Sequence, residues 1–469
     1  TAAYCETCAA IGNVYVNYRL FLLHGDAKYY DVLERTLYNG LISGVSLDGG
    51  NFFYPNPLES MGQHQRQPWF GCACCPSNIC RFIPSVPGYV YAVKDKNIYV
   101  NLFMSNNAVL EIAGKKVSLS QTTSYPWNGN VKLKITQNSV GAFTLKIRIP
   151  GWVRNEVVPS DLYAYADEDS ASYSIKVNGQ KVYADLQNGY FSIQRKWKRG
   201  DCVDINFDMN VRMVRANENV IADCGRMAIE RGPIVYCAEW PDNDFNVLNV
   251  LLNPTAKFQV IKKKDLLCGI NQIQTQAQSL EYDKSGRLLV TDHTLTLIPY
   301  YAWAHRGAGE MAVWLPYNLK AVSPKAVPTL VSESKINASH KIQTLSFIAD
   351  GVVPKNENDR TIPYYHWAPK VGTTEWISYE FPEKVQVSTS TVYWFDDAPW
   401  GSCRVPESWK IYYKNDDGKW CPVTNQNAYT KYKGVANTVS FEPVTTDAVK
   451  LEVVLPDKNS SGIYEWNVR

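Results

Sequence analysis

The stretch of sequence that decides the fold class is AFTLKIRI, residues 142–149. Its apolar side chains stand at every second position, so an extended chain places them on one face: Phe143, Leu145, Ile147 and Ile149. Alternation with a period of two predicts a β-strand that buries one face and exposes the other. This part of the chain is therefore expected to fold as a sheet.

Similar signals extend on both sides of this strand, over residues 89–320. Two Asn-Gly dipeptides, at 178–179 and 188–189, have the composition of tight turns between strands. Further short apolar runs follow at 235–237, 295–298 and 311–315. We therefore predict an all-β region of sandwiched sheets, in one sandwich or two.

A separate β module is predicted after a proline-marked linker at residues 323–328. Residues 330–469 contain three more runs with strand character: 376–381, 408–413 and 448–453. The aromatic residues of this module allow two interpretations, a sugar-binding platform or a sandwich core that docks onto the helical part. The side chains in question are Trp394, Trp400, Tyr412 and Trp420.

Before residue 89 the apolar pattern is helical. Residues 6–23 predict a first helix with an apolar stripe at Ile11, Tyr15, Tyr18 and Leu22. Asp26 is placed to cap a second helix, whose apolar face comprises Tyr30, Leu33, Leu37 and Leu41. A third helix begins near Cys74, with Pro76 in the first turn, where its missing N–H costs little. Because three helices make a small domain, residues 1–88 are expected to end a helical domain whose earlier helices precede Thr1, leaving the aromatic helix faces without partners in this chain.

The overall composition excludes some classes of function. The chain has 469 residues, and its 48 Lys and Arg against 45 Asp and Glu give a net charge of +3. This near balance gives no reason to expect a nucleic acid or an anionic membrane as a partner. No apolar run approaches the ~20 residues that span a bilayer. The aromatic content of 13% suits a surface that stacks against sugar rings, although sandwich cores also use aromatic residues.

The cysteines cluster near the start of the chain. Six of the 12 lie within the first 80 residues: Cys5, Cys8, Cys72, Cys74, Cys75 and Cys80. Adjacent cysteines such as Cys74 and Cys75 bridge each other only with backbone strain. Together with Glu6 and Cys8 they have the chemistry of ligands for a soft divalent metal. On the residues alone, a structural metal, a catalytic metal and no metal all stay open.

Several motifs together resemble the bacterial β-L-arabinofuranosidases of glycoside hydrolase families 127 and 146. They are YCETC (4–8), HGD (24–26), FYPNPLE (53–59), CACCPSN (72–78) and, similar to the sandwich signature of these enzymes, ERGPIVY (230–236). The resemblance implies the last part of an (α/α)6 barrel catalytic domain, followed by β-sandwich domains. It also implies that residues 330–469 are a jelly-roll-like, galactose-binding-like module, as in the longer, Bacteroides-type members.

The resemblance further implies a zinc ion held by Glu6, Cys8, Cys74 and Cys75, with Cys74 as the nucleophile and Tyr54 lining the sugar pocket. Bound zinc removes the thiol proton, so that the thiolate can attack the anomeric carbon. The implied reaction removes β-L-arabinofuranosyl residues from plant cell-wall glycans with retention, and cysteine replaces the usual carboxylate nucleophile.

One consequence of this ligand set is geometric. Glu6 and Cys8, two residues apart, would point about 200° away from each other on a regular helix. They can share a metal only if the chain there is irregular or is just entering the helix.

The resemblance also implies residues upstream of the sequence. The general acid/base of the family is a glutamate slightly more than a dozen residues before the Glu-x-Cys pair, a position that precedes Thr1. Several sugar-binding histidines would precede it as well. We therefore expect a C-terminal fragment that is inactive, or nearly so, without its N-terminal helical segment. Longer family members tend to be exported, so the expected location is periplasmic or extracellular.

Other residues have simpler interpretations. Three cysteines outside the ligand set are expected to be buried thiols or neighbours of the ligands: Cys5, Cys72 and Cys80. Tyr54 would otherwise pack on Phe53, and Glu59 is expected to be structural. In the C-terminal module, Asp350-Gly351 could join a calcium site of the kind found in galactose-binding-like jelly rolls. The alternative function is a non-catalytic, carbohydrate-binding or structural assembly in which zinc only ties helices to sandwiches.

Overall fold

The computed structural model describes residues 4–167, 171–324, 326–340 and 345–469. The chain forms two compact units: unit 1 comprises Thr1–Ser279 and Thr291–Ser323, and unit 2 comprises Leu280–Val290 and Pro324–Arg469. The chain is rich in β-structure and its helices are few, as predicted. Residues 280–290, which were expected in the β region 89–320, group with unit 2 instead.

Unit 1 begins with three α-helices: α1 (Thr7–His24), α2 (Ala27–Thr36) and α3 (Cys74–Phe82). Gly25 ends α1 in the left-handed conformation, with φ of 66°. Asp26 caps α2, because its side chain accepts a hydrogen bond from the backbone N–H of Lys28. Shorter helical turns follow α2 and α3: Leu37–Leu41, Ile42–Gly44 and Ile83–Tyr89. None of the helices in the described ranges is both long and apolar enough to cross a bilayer.

The buried face of α1 differs in part from the predicted one. Ile11, Val14 and Phe21 are buried, whereas Tyr15 and Leu22 are 36% and 46% exposed. The prediction was wrong for Tyr15 and Leu22, because the helical core lies on the side of α1 that carries Ile11, Val14 and Phe21. The outer side of α1 is nevertheless apolar, at Tyr15, Val16, Leu22 and Leu23.

The helices share one hydrophobic core with residues from the β region. The predicted face of α2 and the turn after it is buried in this core, which confirms that prediction: Tyr30, Leu33, Leu37 and Leu41. Ile79 and Phe82 of α3 join them. Leu102 and Tyr190, from the β region, complete the core. The expectation that the helical faces lack partners in this chain is therefore wrong for their inner sides.

Two sheets of unit 1 form a β-sandwich. Five strands make the first sheet, in the spatial order Leu186–Gln187, Tyr190–Lys196, Ala142–Arg148, Asn97–Val100 and Tyr91–Lys94. Six strands make the second, in the order Gln180–Lys181, Tyr173–Val177, Cys202–Phe207, Asn130–Asn138, Lys115–Thr123 and Asn106–Ile112. The two sheets share one core. The alternating side chains predicted for residues 142–149 are all buried in it, so that prediction is confirmed.

A third sheet contains eleven strands. Seven follow one another in space as Val250–Leu252, Ile270–Tyr282, Leu288–Pro299, Ile234–Glu239, Arg226–Arg231, Val211–Ala216 and Tyr163–Tyr165. Four more pair at its sides: Glu59–Met61, Gln259–Lys263, Glu310–Ala312 and Leu315–Pro316. The strand Glu59–Met61 belongs to the loop between α2 and α3, and it pairs in antiparallel fashion with Glu310–Ala312. The helical segment is thus joined to this sheet by backbone hydrogen bonds.

Unit 2 contains a sheet of seven strands. Six have the order Tyr365–His366, Gly462–Val468, Thr374–Phe395, Asn437–Val454, Ser408–Lys414 and Trp420–Pro422, and Lys335–Ala338 pairs with Thr374–Phe395. Trp394 lies in the core, whereas Trp400 is 94% exposed. Tyr412 and Trp420 lie near the surface, with the Lys450 ammonium over both rings. The core interpretation therefore holds for Trp394, whereas the other three side chains lie at or near the surface.

A buried ion-pair network joins α2 to the sandwich. Arg148 is fully buried, and its guanidinium lies 2.7 Å from Asp31 Oδ1 and 2.5 Å from Glu34 Oε1. Burial raises the pKa of the Glu34 carboxyl, and Arg148 acts against that rise. A buried pair of this kind fixes the orientation of the helix, because each charge needs the other in a low-dielectric interior.

Residues 230–236 fasten α2 to the large sheet. Arg35 Nη1 lies 2.7 Å from Glu230 Oε2, whose side chain is almost fully buried. The Asn39 side chain donates to the carbonyl of Pro233 and accepts from the backbone N–H of Val235, both at 2.8 Å. The ERGPIVY motif thus holds the helices on the sheet.

Replacing Arg148 with alanine is expected to lower the free energy of unfolding of unit 1 by about 3–5 kcal/mol, because Glu34 then stays buried without its cation. A urea titration followed by tryptophan fluorescence measures this change. The matched control is Lys132→Ala, which removes an exposed pair with Asp204 at 3.8 Å. That variant should lose about 0–1 kcal/mol. Equal urea midpoints for the two variants would contradict the role given to Arg148.

Candidate metal centre and nucleophile

The starts of α1 and α3 converge on one cluster of side chains. Cys74 and Cys75 are the first two residues of α3, while Glu6 immediately precedes α1 and Cys8 is its second residue. The ligand atoms of these four residues all lie within 4.8 Å of one another. The structure therefore brings together the whole ligand set implied by the sequence, from two segments more than sixty residues apart.

A short antiparallel bridge positions the segment before α1. The backbone N–H of Thr7 donates to the carbonyl of Tyr54 at 3.0 Å, and that of Asn56 donates to the carbonyl of Cys5 at 2.8 Å. The bridge leaves Glu6 extended, with φ of −70° and ψ of 139°. Glu6 thus stands just outside α1, as the shared site requires, and its carboxylate reaches the same space as the Cys8 thiol.

The distances within the cluster fit a tetrahedral metal site. Cys75 Sγ lies 3.4 Å from Cys8 Sγ and 3.9 Å from Cys74 Sγ. Glu6 Oε1 lies 3.7 Å from both Cys74 Sγ and Cys75 Sγ. Two sulfurs bound at about 2.3 Å to one tetrahedral ion would lie roughly 3.8 Å apart. Cys8, Cys74 and Cys75 are free thiols and form no disulfide, so their sulfurs are available as ligands.

The charges of the cluster call for a cation. Three thiols and a carboxylate can each become negative, and like charges this close oppose one another's ionisation. The position of Cys74 and Cys75 in the first turn of α3 relieves part of this cost, because a helix N-terminus favours negative charge. A divalent ion would relieve far more, and thiolate and carboxylate ligands suit a soft or borderline metal.

Hydrogen bonding and burial shift the pKa values of the three thiols in different directions. The Tyr54 hydroxyl lies 3.0 Å from Cys74 Sγ, and this hydrogen bond lowers the pKa of the Cys74 thiol while raising that of Tyr54. Burial raises the pKa of the Cys8 and Cys75 thiols. Cys74 is also only partly buried, whereas Cys75 is fully buried. Cys74 is therefore the member of the cluster best suited to react as a thiolate.

Tyr54, which contacts Cys74, is itself flanked by aromatic rings. The ring of Tyr54 packs edge-on against Phe70, with centroids 5.4 Å apart, and lies 6.4 Å from the ring of Tyr4. Phe53 stacks instead on Trp303, at 5.2 Å. The alternative that Tyr54 packs on Phe53 is thus replaced by a position beside Cys74.

The remaining residues singled out in the sequence lie outside the cluster. Cys5 is half-buried, and Cys72 and Cys80 are exposed. Cys72 is nevertheless a neighbour of the ligand Cys74, which was one of the two expected positions, whereas the expectation of a buried thiol is wrong for Cys80. Cys72 Sγ also lies 4.0 Å from the Tyr54 hydroxyl. Glu59 pairs with Arg226 at 2.8 Å on the strand that joins the large sheet, in line with a structural role.

Sequence reasoning gave no role to Asn78, which contacts the cluster directly. Its side-chain amide donates to Cys8 Sγ at 3.0 Å. Asn78 lies one helical turn after Cys74 in α3, so the i, i+4 spacing within CACCPSN could have identified it.

Three family models match the chain. They are described as the GH127 catalytic domain of β-L-arabinofuranosidase (residues 1–88), the GH127 middle domain of β-L-arabinofuranosidase (97–209) and the C-terminal domain of glycoside hydrolase family 127 (211–316). Together they cover well over half of the sequence.

Individual relatives agree with the family models. A protein described as a non-reducing end β-L-arabinofuranosidase, from Bifidobacterium longum subsp. longum, is 34% identical over 344 residues, which are 66% of this chain and 49% of that protein. A solved GH127 β-arabinofuranosidase is 66% identical and superimposes with a TM-score of 0.68 over 70% of this chain and 51% of its own. A GH127 β-L-arabinofuranosidase from Geobacillus stearothermophilus T6 is 39% identical, with a TM-score of 0.61 over 67% of this chain and 50% of its own.

These matches place the sequence among the glycoside hydrolase families. Within that class, the chain belongs to glycoside hydrolase family 127. It spans about half the length of the relatives that it matches.

The hydrogen bond from Tyr54 predicts the reactivity of Cys74. In the chain freed of metal with a chelator, Tyr54→Phe should slow alkylation of Cys74 by iodoacetamide at about pH 7 by about three- to tenfold, because the thiol then ionises less readily. At alkaline pH, where the Cys74 thiol is deprotonated in both the parent chain and the variant, the two rates should converge. Peptide mass spectrometry measures the labelling.

The control for this experiment is Tyr4→Phe, which removes a hydroxyl from the neighbouring ring without touching Cys74 Sγ. It should leave the labelling rate unchanged. A Tyr54→Phe variant that labels as fast as the parent chain would show that the hydroxyl does not assist the thiolate.

Proposed function

We propose that the chain is the zinc-binding part of a retaining β-L-arabinofuranosidase, with Cys74 as the nucleophile. The observation that carries the proposal is a free thiol, Cys74, which is partly exposed, lies in a cluster of four side chains that could hold a metal ion, and is hydrogen-bonded to Tyr54. The ligands would be Glu6, Cys8, Cys74 and Cys75. When bound, zinc supplies a positive charge that keeps the ligand sulfurs deprotonated at neutral pH.

The residues of this chain would act in two steps. Cys74 Sγ attacks the anomeric carbon, so that a carbon–sulfur bond forms as the glycosidic carbon–oxygen bond breaks. Tyr54 donates its hydrogen bond to Cys74 Sγ and lines the sugar pocket. In the second step water replaces the sulfur at the same carbon, and two inversions give net retention.

A general acid must protonate the leaving oxygen in the first step and accept a proton from water in the second. Glu6 is assigned to the metal, so it is not this group. We propose that a glutamate preceding Thr1 in the whole protein has this role. The span of the chain, about half of its relatives, supports the proposal. The chain of 469 residues alone would then be inactive or nearly so.

The outer side of α1 supports a related proposal, that residues 1–88 are the end of an (α/α)6 barrel. Four apolar side chains are exposed along it: Tyr15, Val16, Leu22 and Leu23. An exposed apolar stripe of this size on one helix is typical of a surface that packs against further elements. Earlier helices of the same protein would cover it.

The proposed substrate and location rest on the relatives of the chain. The Bifidobacterium longum relative is described as acting at the non-reducing end. We propose that this protein likewise removes terminal β-L-arabinofuranosyl residues, from plant cell-wall glycans. Its proposed location is the periplasm or the outside of the cell, where such glycans are encountered.

Unit 2 is proposed to be a jelly-roll-like module with a calcium site near Asp350 and Gly351. Glu465 is 2% exposed, and its Oε1 accepts a hydrogen bond from the backbone N–H of Gly351 at 3.3 Å. Its Oε2 is buried without a hydrogen-bond partner among the described residues. Burial raises the pKa of Glu465 to about 9 and that of Asp350 to about 6. Two such carboxyl groups have the oxygen chemistry that calcium prefers.

Substitution of Cys74 tests the proposed nucleophile. In the full-length protein with its upstream segment, Cys74→Ser should reduce hydrolysis of a nitrophenyl β-L-arabinofuranoside by about a thousandfold or more, because it removes the covalent step. Cys80→Ser, an exposed thiol on the same helix, is the control and should retain full activity. Unchanged turnover by Cys74→Ser would reject the assignment of Cys74 as the nucleophile and favour the alternative in which zinc is only structural.

The calcium proposal predicts a pH-dependent stabilisation of unit 2. A raised carboxyl pKa means that the protonated form is favoured on folding, so calcium must compete with protons, and its effect should grow from about pH 6 to pH 9. Saturating calcium should raise the unfolding temperature by about 3–6 °C at the upper end. Glu465→Gln should abolish this gain, whereas the exposed Glu442→Gln should not. A gain that survives in Glu465→Gln would reject the site.

A further inference from the structure

Asn78 connects the cluster to the exposed guanidinium group of Arg81 on α3. Its Nδ2 lies 3.0 Å from Cys8 Sγ, and its Oδ1 lies 2.5 Å from Arg81 Nη2. An arginine can only donate hydrogen bonds, so it must face the amide oxygen. The amide NH₂ group then faces the sulfur, and Asn78 can only donate to it.

The sulfurs of Cys8 and Cys74 therefore have different hydrogen-bond donors. Cys74 Sγ is hydrogen-bonded by the hydroxyl of Tyr54, whereas Cys8 Sγ is hydrogen-bonded by the amide of Asn78. A sulfur that accepts from an N–H group is stabilised as a thiolate and is held in one direction. Arg81 fixes the amide and places a positive charge near a cluster that is rich in negative groups.

We propose that Asn78 is a positioning residue for the metal ligand Cys8, and that Arg81 orients its amide. The inference rests on the proposed metal site. The N–H···S bond would fix the direction of the Cys8 sulfur before metal binds and would take up part of its charge afterwards. Hydrogen bonds of this type to metal ligands commonly change metal affinity by about 10- to 100-fold.

The isosteric variant Asn78→Asp is the main test. It keeps the volume of the side chain and an acceptor for Arg81, but it replaces the donor that faces Cys8 with a negative oxygen. Zinc affinity, measured by competition with a chromophoric chelator, should fall by more than about tenfold, and Asn78→Ala should lose about tenfold. The charge-transfer absorption of the cobalt(II)-loaded chain should also shift, since it reports the sulfur ligands.

Two further variants sharpen the test. Arg81→Ala should weaken zinc binding less than Asn78→Asp, because it frees the amide without removing the donor. Cys80→Ser is the matched control on the same helix and should bind zinc as the parent chain does. Circular dichroism of each variant checks that α3 and the sheets remain folded.

The outcomes separate this inference from the proposed function. If the parent chain binds zinc tightly and Asn78→Asp binds it within twofold, with an unchanged cobalt spectrum, the inference about Asn78 fails and the metal site stands. If the parent chain binds no zinc, the metal site fails and the inference fails with it. A loss confined to the Asn78 and Arg81 variants supports both.

Discussion

Four groups that can each carry a negative charge meet within 4.8 Å at the start of two helices, and the rest of unit 1 is built to make that meeting possible. Water-exposed thiols would remain protonated and apart. Here the backbone holds them together, and both α3 and the loop before it contribute groups that stabilise the negative charge. The helix N-terminus of α3 acts on Cys74 and Cys75, the loop before it contributes Tyr54, and the next turn contributes Asn78.

The cluster depends on how firmly the short helices are held. Three helices with few residues bury too little apolar surface to be stable by themselves. The sandwich supplies Leu102 and Tyr190 to their core and Arg148 to their buried carboxylates. The large sheet adds Glu230 opposite Arg35. The β-rich part of the chain is thus the scaffold on which the site residues of α1 and α3 keep their distances.

Local patterns in the sequence predicted the helices and strands better than they predicted which side of each helix is buried. Alternation over residues 142–149 identified a strand and its buried side, since both depend on the sequence of that strand alone. The apolar stripe of α1 was misassigned because that helix carries apolar residues on two sides, and only packing against its neighbours decides which side is buried. Residues 280–290 group with unit 2 through contacts distant in sequence, which no local pattern contains.

The same distinction applies to the site. The ligand set was implied by a family resemblance, which rests on motifs whose residues are rare and closely spaced. The i, i+4 spacing from Cys74 places Asn78 one helical turn away, but its hydrogen bond goes to the sulfur of Cys8, seventy positions earlier in the chain, and that contact is not contained in any local pattern. Polar contacts between distant segments depend on the folded arrangement, and a single sequence does not state them.

The extended conformation of Glu6 has a consequence for how this segment tolerates change in length. Glu6 ends the bridge to Pro55, and α1 starts at the very next residue, so the carboxylate and the Cys8 sulfur are related by one fixed rotation. Adding or removing one residue between them would turn the sulfur by about 100° around the helix axis. The two-residue interval between Glu6 and Cys8 is therefore fixed by the geometry of the site, and the residue inside it is held as well: Thr7 is fully buried, and its hydroxyl donates a hydrogen bond to the carbonyl of Phe53 at 2.8 Å.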